Sequence, residues 1–149
     1  LHRDEQLRKL AIVKKFLKTT ISTRLLDVGC GSGISSDFSC NVFGIDPSLE
    51  LLRMNKSLNK IQAFAKNIPF KDSSFDIVIS ITAIQNFTGI GKALDEIIRV
   101  CKNSFVISTL KKSRKLALVE KEIRKRFDVL YQVEEDKDII YVLQRPQKP

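Results

Sequence analysis

The chain has 149 residues, of which 43% are hydrophobic and 29% charged, as in a globular protein with a core of its own. No apolar run approaches the roughly 20 residues that a membrane span requires, so we expect a soluble protein that does not bind a membrane. The formal net charge of +9 makes RNA or DNA a candidate partner, although a lysine-rich surface can serve solubility alone. No repeat or linker divides residues 1–149, so we expect a single domain.

The first predicted element is an amphipathic helix between Asp4 and Lys18, where apolar residues recur at helical spacing. Ser48 is placed to cap a second helix, which carries Leu51, Leu52 and Met54. Short apolar segments around these helices predict four strands, at residues 24–28, 41–46, 60–65 and 75–80.

The second half of the chain continues the alternation of helix and strand. Leu94, Ile97, Ile98 and Cys101 mark a helix by their spacing, residues 104–109 predict a strand, and residues 111–126 predict a strongly basic helix. The segments 127–133 and 138–144 predict a terminal hairpin. We therefore expect an α/β fold: a doubly wound, mostly parallel seven-stranded sheet with helices on both faces and a C-terminal antiparallel hairpin.

The three cysteines are Cys30, Cys40 and Cys101, and no CxxC pair occurs among them. This pattern predicts reduced structural thiols, a cytoplasmic location and no metal site. The chain begins at Leu1 without a hydrophobic signal core, so we expect a truncated or processed amino terminus and no secretion. The single histidine, His2, is expected to be exposed and without a catalytic role.

A glycine-rich loop follows the first predicted strand, in the stretch LLDVGCGSGISSDF at residues 25–38. In doubly wound sheets, ligands bind at the carboxyl ends of the strands where the strand order reverses. The glycines at 29, 31 and 33 follow a G-x-G-x-G pattern, whereas the dinucleotide fingerprint requires a glycine at position 34, which is Ile34. No Gly-Lys-Ser/Thr follows, so the loop is not a P-loop either.

An acidic residue, Asp46, ends the second predicted strand, 19 positions after Asp27. An acid at this place can accept hydrogen bonds from both hydroxyls of a ribose. The loop and the acid together predict a nucleoside site. The alternative interpretation is that Asp46-Pro47-Ser48 only starts a helix.

Three stretches of the chain, LLDVGCGSG, VFGIDPSLELL and AKNIPFKDSSFDIVIS, resemble the class I S-adenosylmethionine-dependent methyltransferases in order and spacing. The resemblance covers about residues 25–109, the terminal hairpin fits the family's last two strands, and the whole implies a Rossmann-like methyltransferase fold. It implies S-adenosyl-L-methionine as cofactor, with the glycine loop under its methionine part, Asp27 near its amino group and Asp46 on its ribose. The cofactor-binding residues implied are Asp27, Gly29, Cys30, Gly31, Gly33, Asp46, Pro47, Ala65, Lys66, Asn67 and Ser80.

The adenine-binding segment departs from the family pattern at one position. Many relatives carry an acid before A-x-x-[LI]-P-F, where it receives the adenine amino group, but this chain has Phe64. We therefore expect adenine to be held by main-chain contacts near Ala65 and by apolar packing.

The stretch SITAIQNF, residues 80–87, lies where the resemblance places the methyl acceptor. It lacks the Asn/Asp-Pro-Pro-aromatic signature, which argues against adenine, cytosine or glutamine amide nitrogens as acceptors. Because no base is evident, an acceptor with an available lone pair, such as guanine N7 or a carboxylate, fits better. No catalytic residue is assigned; the substrate-side candidates are Gln85, Asn86, Ser80 and Asp37, of which the two amides either orient the acceptor or face water. Ser35, Ser36 and Asp37 either border the methyl-transfer site or begin a helix.

Two stretches of the chain resemble a narrower group within this family. CGSGISSDF and ISITAIQNF are similar to rRNA guanine-N7 methyltransferases and, less closely, to tRNA wobble-uridine methyltransferases, which act on RNA with a small zinc-containing activator protein. The basic segment 111–126 carries eight Lys and Arg against two Glu, a net of +6, and this supports RNA unless the helix is merely a solvated face.

The third predicted strand is expected at an edge of the sheet, with the uncharged residues 61–65 open to pairing. We expect the activator to add a strand there, with self-association or a covering loop as alternatives. The sequence thus predicts an S-adenosylmethionine-dependent methyltransferase that modifies RNA within a heterodimer. A small-molecule methyltransferase and a catalytically silent binding module are the other hypotheses.

Overall fold

The computed structural model describes residues 2–33, 37–57 and 59–147. Position 34, Ser35 and Ser36 lie outside the described residues, as does the side chain of His2, so the expectations for them stay predictions. No helix in the described part of the chain is long and apolar enough to cross a membrane.

Seven strands form one sheet in the order β3-β2-β1-β4-β5-β7-β6. Strands β1 to β5 pair in parallel, whereas β7 pairs antiparallel with both β5 and β6. This topology confirms the predicted α/β fold with its C-terminal antiparallel hairpin. The strands are β1 Arg24–Val28, β2 Asn41–Asp46, β3 Lys60–Gln62, β4 Phe75–Ser80, β5 Cys101–Leu110, β6 Asp128–Glu134 and β7 Asp138–Gln144.

Within the described residues, four α-helices cover the sheet and a 3-10 helix follows β4. Side chains alternate between the faces of a strand, so Leu25 packs on the face covered by α1 and Leu26 packs on the face covered by α3 and α4. Ser48 caps α2, because its Oγ accepts a 3.2 Å hydrogen bond from the N–H of Leu51. The helices are α1 His2–Phe16, α2 Leu49–Met54, α3 Ile90–Val100 and α4 Leu116–Arg126, with the 3-10 helix at Ile84–Asn86.

The predicted strand at 60–65 is too long, since β3 ends at Gln62. Beyond it the chain turns back on itself, and the N–H of Asn67 donates to the carbonyl oxygen of Phe64 at 3.0 Å. The turn moves Ala65 into a buried position, which takes it away from the edge of the sheet. The edge position of β3 itself agrees with the prediction.

Helix α4 begins at Leu116, five residues after the predicted start at Lys111. Residues 111–115 form turns, in which the N–H of Ser113 donates to Leu110 and the N–H of Leu116 donates to Ser113. The preceding strand is also longer than predicted, because Cys101 begins β5 and does not belong to α3. The basic segment is therefore a loop followed by a helix.

Candidate functional site

A cavity of about 730 Å³ opens at the carboxyl ends of β1, β2 and β4, within the size range of small-molecule sites. Two groups of residues line it. The glycine-loop wall consists of Asp27, residues 29–32, residues 45–47, Leu51 and residues 63–66. The α1 wall consists of Arg3, Gln6, residues 81–83 and residues 86–88.

The glycine loop reaches the cavity by a tight turn after β1. The N–H groups of Gly29 and Cys30 both donate to the carbonyl oxygen of Ile45, at 2.8 and 3.0 Å. Gly29 has a φ of +82°, and a Cβ there would lie 2.6 Å from the methyl carbon of Ala83. Any side chain at this position would be strained and would collide with the α1 wall, so the turn requires glycine.

Asp46 connects β2 to the glycine loop. The residue is 7% exposed, and its Oδ2 accepts a 2.9 Å hydrogen bond from the N–H of Gly31 while its Oδ1 accepts a 2.8 Å bond from the N–H of Ser48. Each carboxylate oxygen can accept more than one hydrogen bond, so both retain capacity for hydroxyl groups of a ligand. Asp27, also buried, lines the same wall at the end of β1.

The thiol of Cys30 packs behind the loop. A Cβ at Gly44 would lie 2.6 Å from the Cys30 sulfur, so the thiol fills the space that the absent side chain leaves. Burial, together with the negative charges of Asp27 and Asp46, raises the pKa of Cys30 to about 12. The thiol is neutral near pH 7 and fills space. All three cysteines are free thiols.

The segment after β3 contributes Phe64, Ala65 and Lys66 to the glycine-loop wall. Phe64 is 58% exposed, and the Lys66 ammonium lies 6.0 Å from the centre of its ring. Pro47 also lines the cavity, whereas Asn67 does not.

Glu96 and Arg99, on α3, hold the end of this segment, a role that was not predicted from the sequence. Glu96 Oε1 accepts a 3.0 Å hydrogen bond from the N–H of Ile68. Arg99 donates to the carbonyl oxygens of Ile68 and Phe70, both at 2.8 Å, and to Glu96 at 2.7 Å. Two charged residues three positions apart on a helix are too common for their spacing to have indicated this role.

The predicted substrate-side residues fall in different places. Asn86 lines the cavity. Gln85 lies outside it, buried, with Nε2 donating to the carbonyl oxygen of Thr82 at 3.0 Å. Ser80 is fully buried and donates to the carbonyl oxygen of Val28 at 2.8 Å, which ties the ends of β4 and β1 together. Asp37 is exposed and pairs with Lys14 at 2.7 Å, which lowers the pKa of its carboxyl group.

Gly33 also lies outside the cavity. Its φ is +91°, and a Cβ there would lie 2.4 Å from the amide oxygen of Asn55. It shapes the loop from behind. By contrast, the α1 wall includes Arg3, Gln6 and Thr82, which were not predicted because their neighbours in the site are far away in the sequence.

A family model described as a methyltransferase domain matches residues 26–107, more than half of the chain. An uncharacterised protein of Methanocaldococcus jannaschii, MJ1252, is 39% identical over 53% of this chain and 33% of its own length. A demethylmenaquinone methyltransferase of Paenarthrobacter aurescens is 32% identical over 61% of this chain and 39% of its own. The chain thus spans less than half the length of either relative.

Solved structures share the fold at low identity. The PH0226 protein of Pyrococcus horikoshii superposes with a TM-score of 0.83 and 18% identity, covering 97% of this chain and 92% of that one. A protein named as a methyltransferase, in complex with the Trm112 methyltransferase activator of Haloferax volcanii, superposes with a TM-score of 0.78 and 16% identity, covering 97% and 92%. The family match over residues 26–107 shows that the chain belongs to the methyltransferase domain family.

Proposed function

We propose that this chain transfers a methyl group from S-adenosylmethionine to RNA and that it works with a small activator protein. The observation that carries the proposal is the position of the basic loop 111–115. It follows the carboxyl end of β5, and β5 runs parallel to β4, so the loop lies at the same edge of the sheet as the cavity.

The cavity fits the cofactor, which supplies a methyl group on a positively charged sulfur. Asp46, oriented by the N–H groups of Gly31 and Ser48, accepts hydrogen bonds from the ribose hydroxyls. Asp27 places a carboxyl group beside the glycine loop for the methionine ammonium. Phe64 and Ala65 offer apolar surface to adenine.

The remaining predicted cofactor residues divide into two sets. Gly29, Cys30, Gly31, Pro47 and Lys66 line the cavity and contact the cofactor through main chain and side chain. Gly33, Asn67 and Ser80 lie behind the lining and act by shaping it. Direct displacement at a sulfonium depends chiefly on the alignment of donor and acceptor, and the two walls are the surfaces that set this alignment.

On the acceptor side, Asn86 presents an exposed amide to the cavity. Its two donors and one carbonyl oxygen suit the edge of a base such as guanine. Arg3 adds a positive charge to the same wall, which favours an acceptor that carries phosphates.

Half of the Lys and Arg side chains in the basic segment 111–126 are available to bind a polyanion. Lys111, Arg124, Lys125 and Arg126 each pair with an acidic side chain. Lys112, Arg114, Lys115 and Lys121 are exposed and form no ion pair within the described part of the chain. Three of these four lie in the loop beside the cavity.

The test is methyl transfer from labelled S-adenosylmethionine to total RNA, with a triple variant Lys112→Gln, Arg114→Gln and Lys115→Gln. A matched control, Lys15→Gln, Lys18→Gln and Lys71→Gln, removes the same charge from exposed lysines that form no ion pair within the described residues and do not line the cavity. We expect the KM for RNA to rise about tenfold or more in the first triple only, with a shallower salt dependence. An equal rise in both triples would contradict recognition by the loop.

The activator proposal depends on the apolar surface beside the edge strand. We define the α2–β3 patch as the exposed residues Leu49, Leu51, Met54, Ile61 and Phe64. The side chains of Lys60 and Gln62 reach the backbone at the two ends of α2, so helix and strand form one surface. Apolar surface at an unpaired strand edge is typical of a docking site. The Haloferax volcanii neighbour in complex with Trm112 supports an activator as the partner.

Co-purification with a Trm112-type protein tests this proposal. Ile61→Asp places a charge on the edge strand, whereas Ile21→Asp changes an isoleucine before β1 that is even more exposed, at 86% against 42%. We expect only Ile61→Asp to abolish the complex. Since Leu51 and Phe64 belong to both the patch and the cavity, binding of the activator is also expected to tighten cofactor binding.

A small-molecule acceptor is the second candidate, because the Paenarthrobacter relative is named as a demethylmenaquinone methyltransferase. Label that stays out of RNA, in the presence of activator and with the cofactor bound, would favour this candidate.

A further inference from the structure

A buried ion pair joins helix α1 to strand β7. The side chains of Lys9 and Asp138 are 3% and 0% exposed, and Lys9 Nζ lies 3.1 Å from Asp138 Oδ1. Oδ1 accepts no aligned hydrogen bond within the described residues, so the contact is one between charges. Burial of two charges costs desolvation that their attraction often fails to recover, so such a pair is weak evidence for stability alone.

Thr82 connects this pair to the cavity. Its hydroxyl donates to Asp138 Oδ2 at 2.6 Å and accepts from Lys9 Nζ at 3.0 Å. Its N–H donates to the hydroxyl oxygen of Ser108 at 2.8 Å, and Ser108 in turn donates to Asp138 Oδ2 at 2.9 Å. Thr82 has a φ of +54°, a left-handed conformation that is rare for a β-branched residue. Such strain persists only where the surrounding contacts impose it.

The same cluster fixes both parts of the α1 wall. Thr82 lies in the segment of this wall that follows β4, and the next residue, Ala83, packs its methyl group over Gly29. Lys9 belongs to the helix that brings Arg3 and Gln6 over the cavity. The ion pair is therefore the point at which the helix and the segment are held together.

We propose that Lys9 and Asp138 are positioning residues that hold Thr82 in its strained conformation and so set the α1 wall against the glycine loop. This inference rests on the proposed methyl transfer, because the position of the α1 wall affects function only if a reaction takes place in the cavity. Neither side chain lines the cavity, and both act through Thr82.

Alanine-methyl NMR tests the positioning directly. Ala83 reports on the α1 wall, Ala65 on the glycine-loop wall and Ala93 on the core under α3. In Lys9→Met and Asp138→Asn, we expect the Ala83 resonance to shift or broaden while those of Ala65 and Ala93 stay in place. Tyr141→Phe is the matched control, because it removes a partly buried hydrogen bond of β7, to Glu120 at 2.9 Å, away from the wall.

Thr82→Val and Thr82→Ser keep the test decisive if the charge variants fold poorly. Thr82→Val removes the hydroxyl and should change the Ala83 resonance, whereas Thr82→Ser retains the hydroxyl and should restore the wild-type spectrum. An Ala83 resonance unchanged in Thr82→Val, or equal changes at all alanines, would overturn the proposal.

Turnover with labelled S-adenosylmethionine and total RNA provides the second readout. We expect kcat to fall about tenfold or more in Lys9→Met, because a displaced wall misaligns the acceptor, while KM for S-adenosylmethionine changes little. An equal loss in kcat for Tyr141→Phe would overturn the positioning role. If the wild type labels no RNA, the proposed function fails, and the alanine spectra still decide whether the pair positions the wall.

Discussion

The carboxylate of Asp46 accepts a 2.9 Å hydrogen bond from the backbone N–H of Gly31. The residue expected to hold the ribose therefore also holds the glycine loop, although 15 positions separate the two in sequence. Loop and acid form one structural unit at the ends of β1 and β2. Changes to either are expected to reach both the fold and the cofactor site.

Asp46→Asn should weaken both properties. One of the two N–H groups that now face a carboxylate oxygen, from Gly31 or Ser48, would face an amide N–H instead. We expect the free energy of unfolding to fall by about 1–3 kcal/mol and the affinity for S-adenosylmethionine to fall about tenfold or more. Thermal denaturation and calorimetric titration measure the two effects. Asp136→Asn, which removes an exposed acid in the β6–β7 turn, serves as the control, and equal losses there would contradict the role of Asp46.

Gly29→Ala should destabilise the loop for two separable reasons. The added methyl group meets Ala83 at 2.6 Å, and the φ of +82° strains any side chain. We expect about 1–3 kcal/mol for the overlap and about 1–2 kcal/mol for the strain. The double variant with Ala83→Gly should recover the first part only. Chemical denaturation of the wild type, the two single variants and the double variant gives the free energies of the overlap and of the strain. Full recovery of stability in the double variant would argue against backbone strain.

Arg99→Ala should loosen the adenine-binding segment. The substitution leaves the carbonyl oxygens of Ile68 and Phe70 without their guanidinium donor. Because the Arg99 side chain is about a third exposed, we expect a loss of only about 2 kcal/mol. Hydrogen exchange at residues 64–70 should rise, with little change in β4. Arg53→Ala, on the exposed face of α2, should leave exchange in this segment unchanged.

Alkaline pH should destabilise the protein through its buried thiols. Burial raises the pKa of Cys30 to about 12 and that of Cys101 to about 11. A thiol in the unfolded chain has a pKa of about 8.5. Above that pH the unfolded chain loses these protons first, so the folded state binds more protons and the unfolding free energy falls as pH rises. The slope is at most about 1.4 kcal/mol per pH unit for each thiol.

Urea denaturation between about pH 8 and 11 measures the slope. Cys30→Ala should flatten it, even though the variant loses some stability at neutral pH. A slope that is unchanged in Cys30→Ala would show that this thiol ionises equally in both states.

The sequence by itself determined the order of strands and helices along the chain. It also located the glycine loop after β1 and the acidic residue, Asp46, at the end of β2. These features depend on local periodicity and on spacings of a few residues, which a single chain displays directly. The predicted end of β3 and the predicted start of α4 were wrong for the same reason, since the structure places them at residues 62 and 116. An apolar or basic run shows what a segment prefers, but not where a turn with the rest of the fold interrupts it.

Only the tertiary structure decided which side chains surround the cavity. The contact between Lys9 and Thr82 spans 73 positions, that between Thr82 and Asp138 spans 56, and that between Arg99 and Ile68 spans 31. Such contacts form because the parallel sheet brings the carboxyl ends of distant strands to one edge, with α1 packed beside them. A lysine in an amphipathic helix gives no sign that it is buried, since its charge predicts an exposed position until its partner is found.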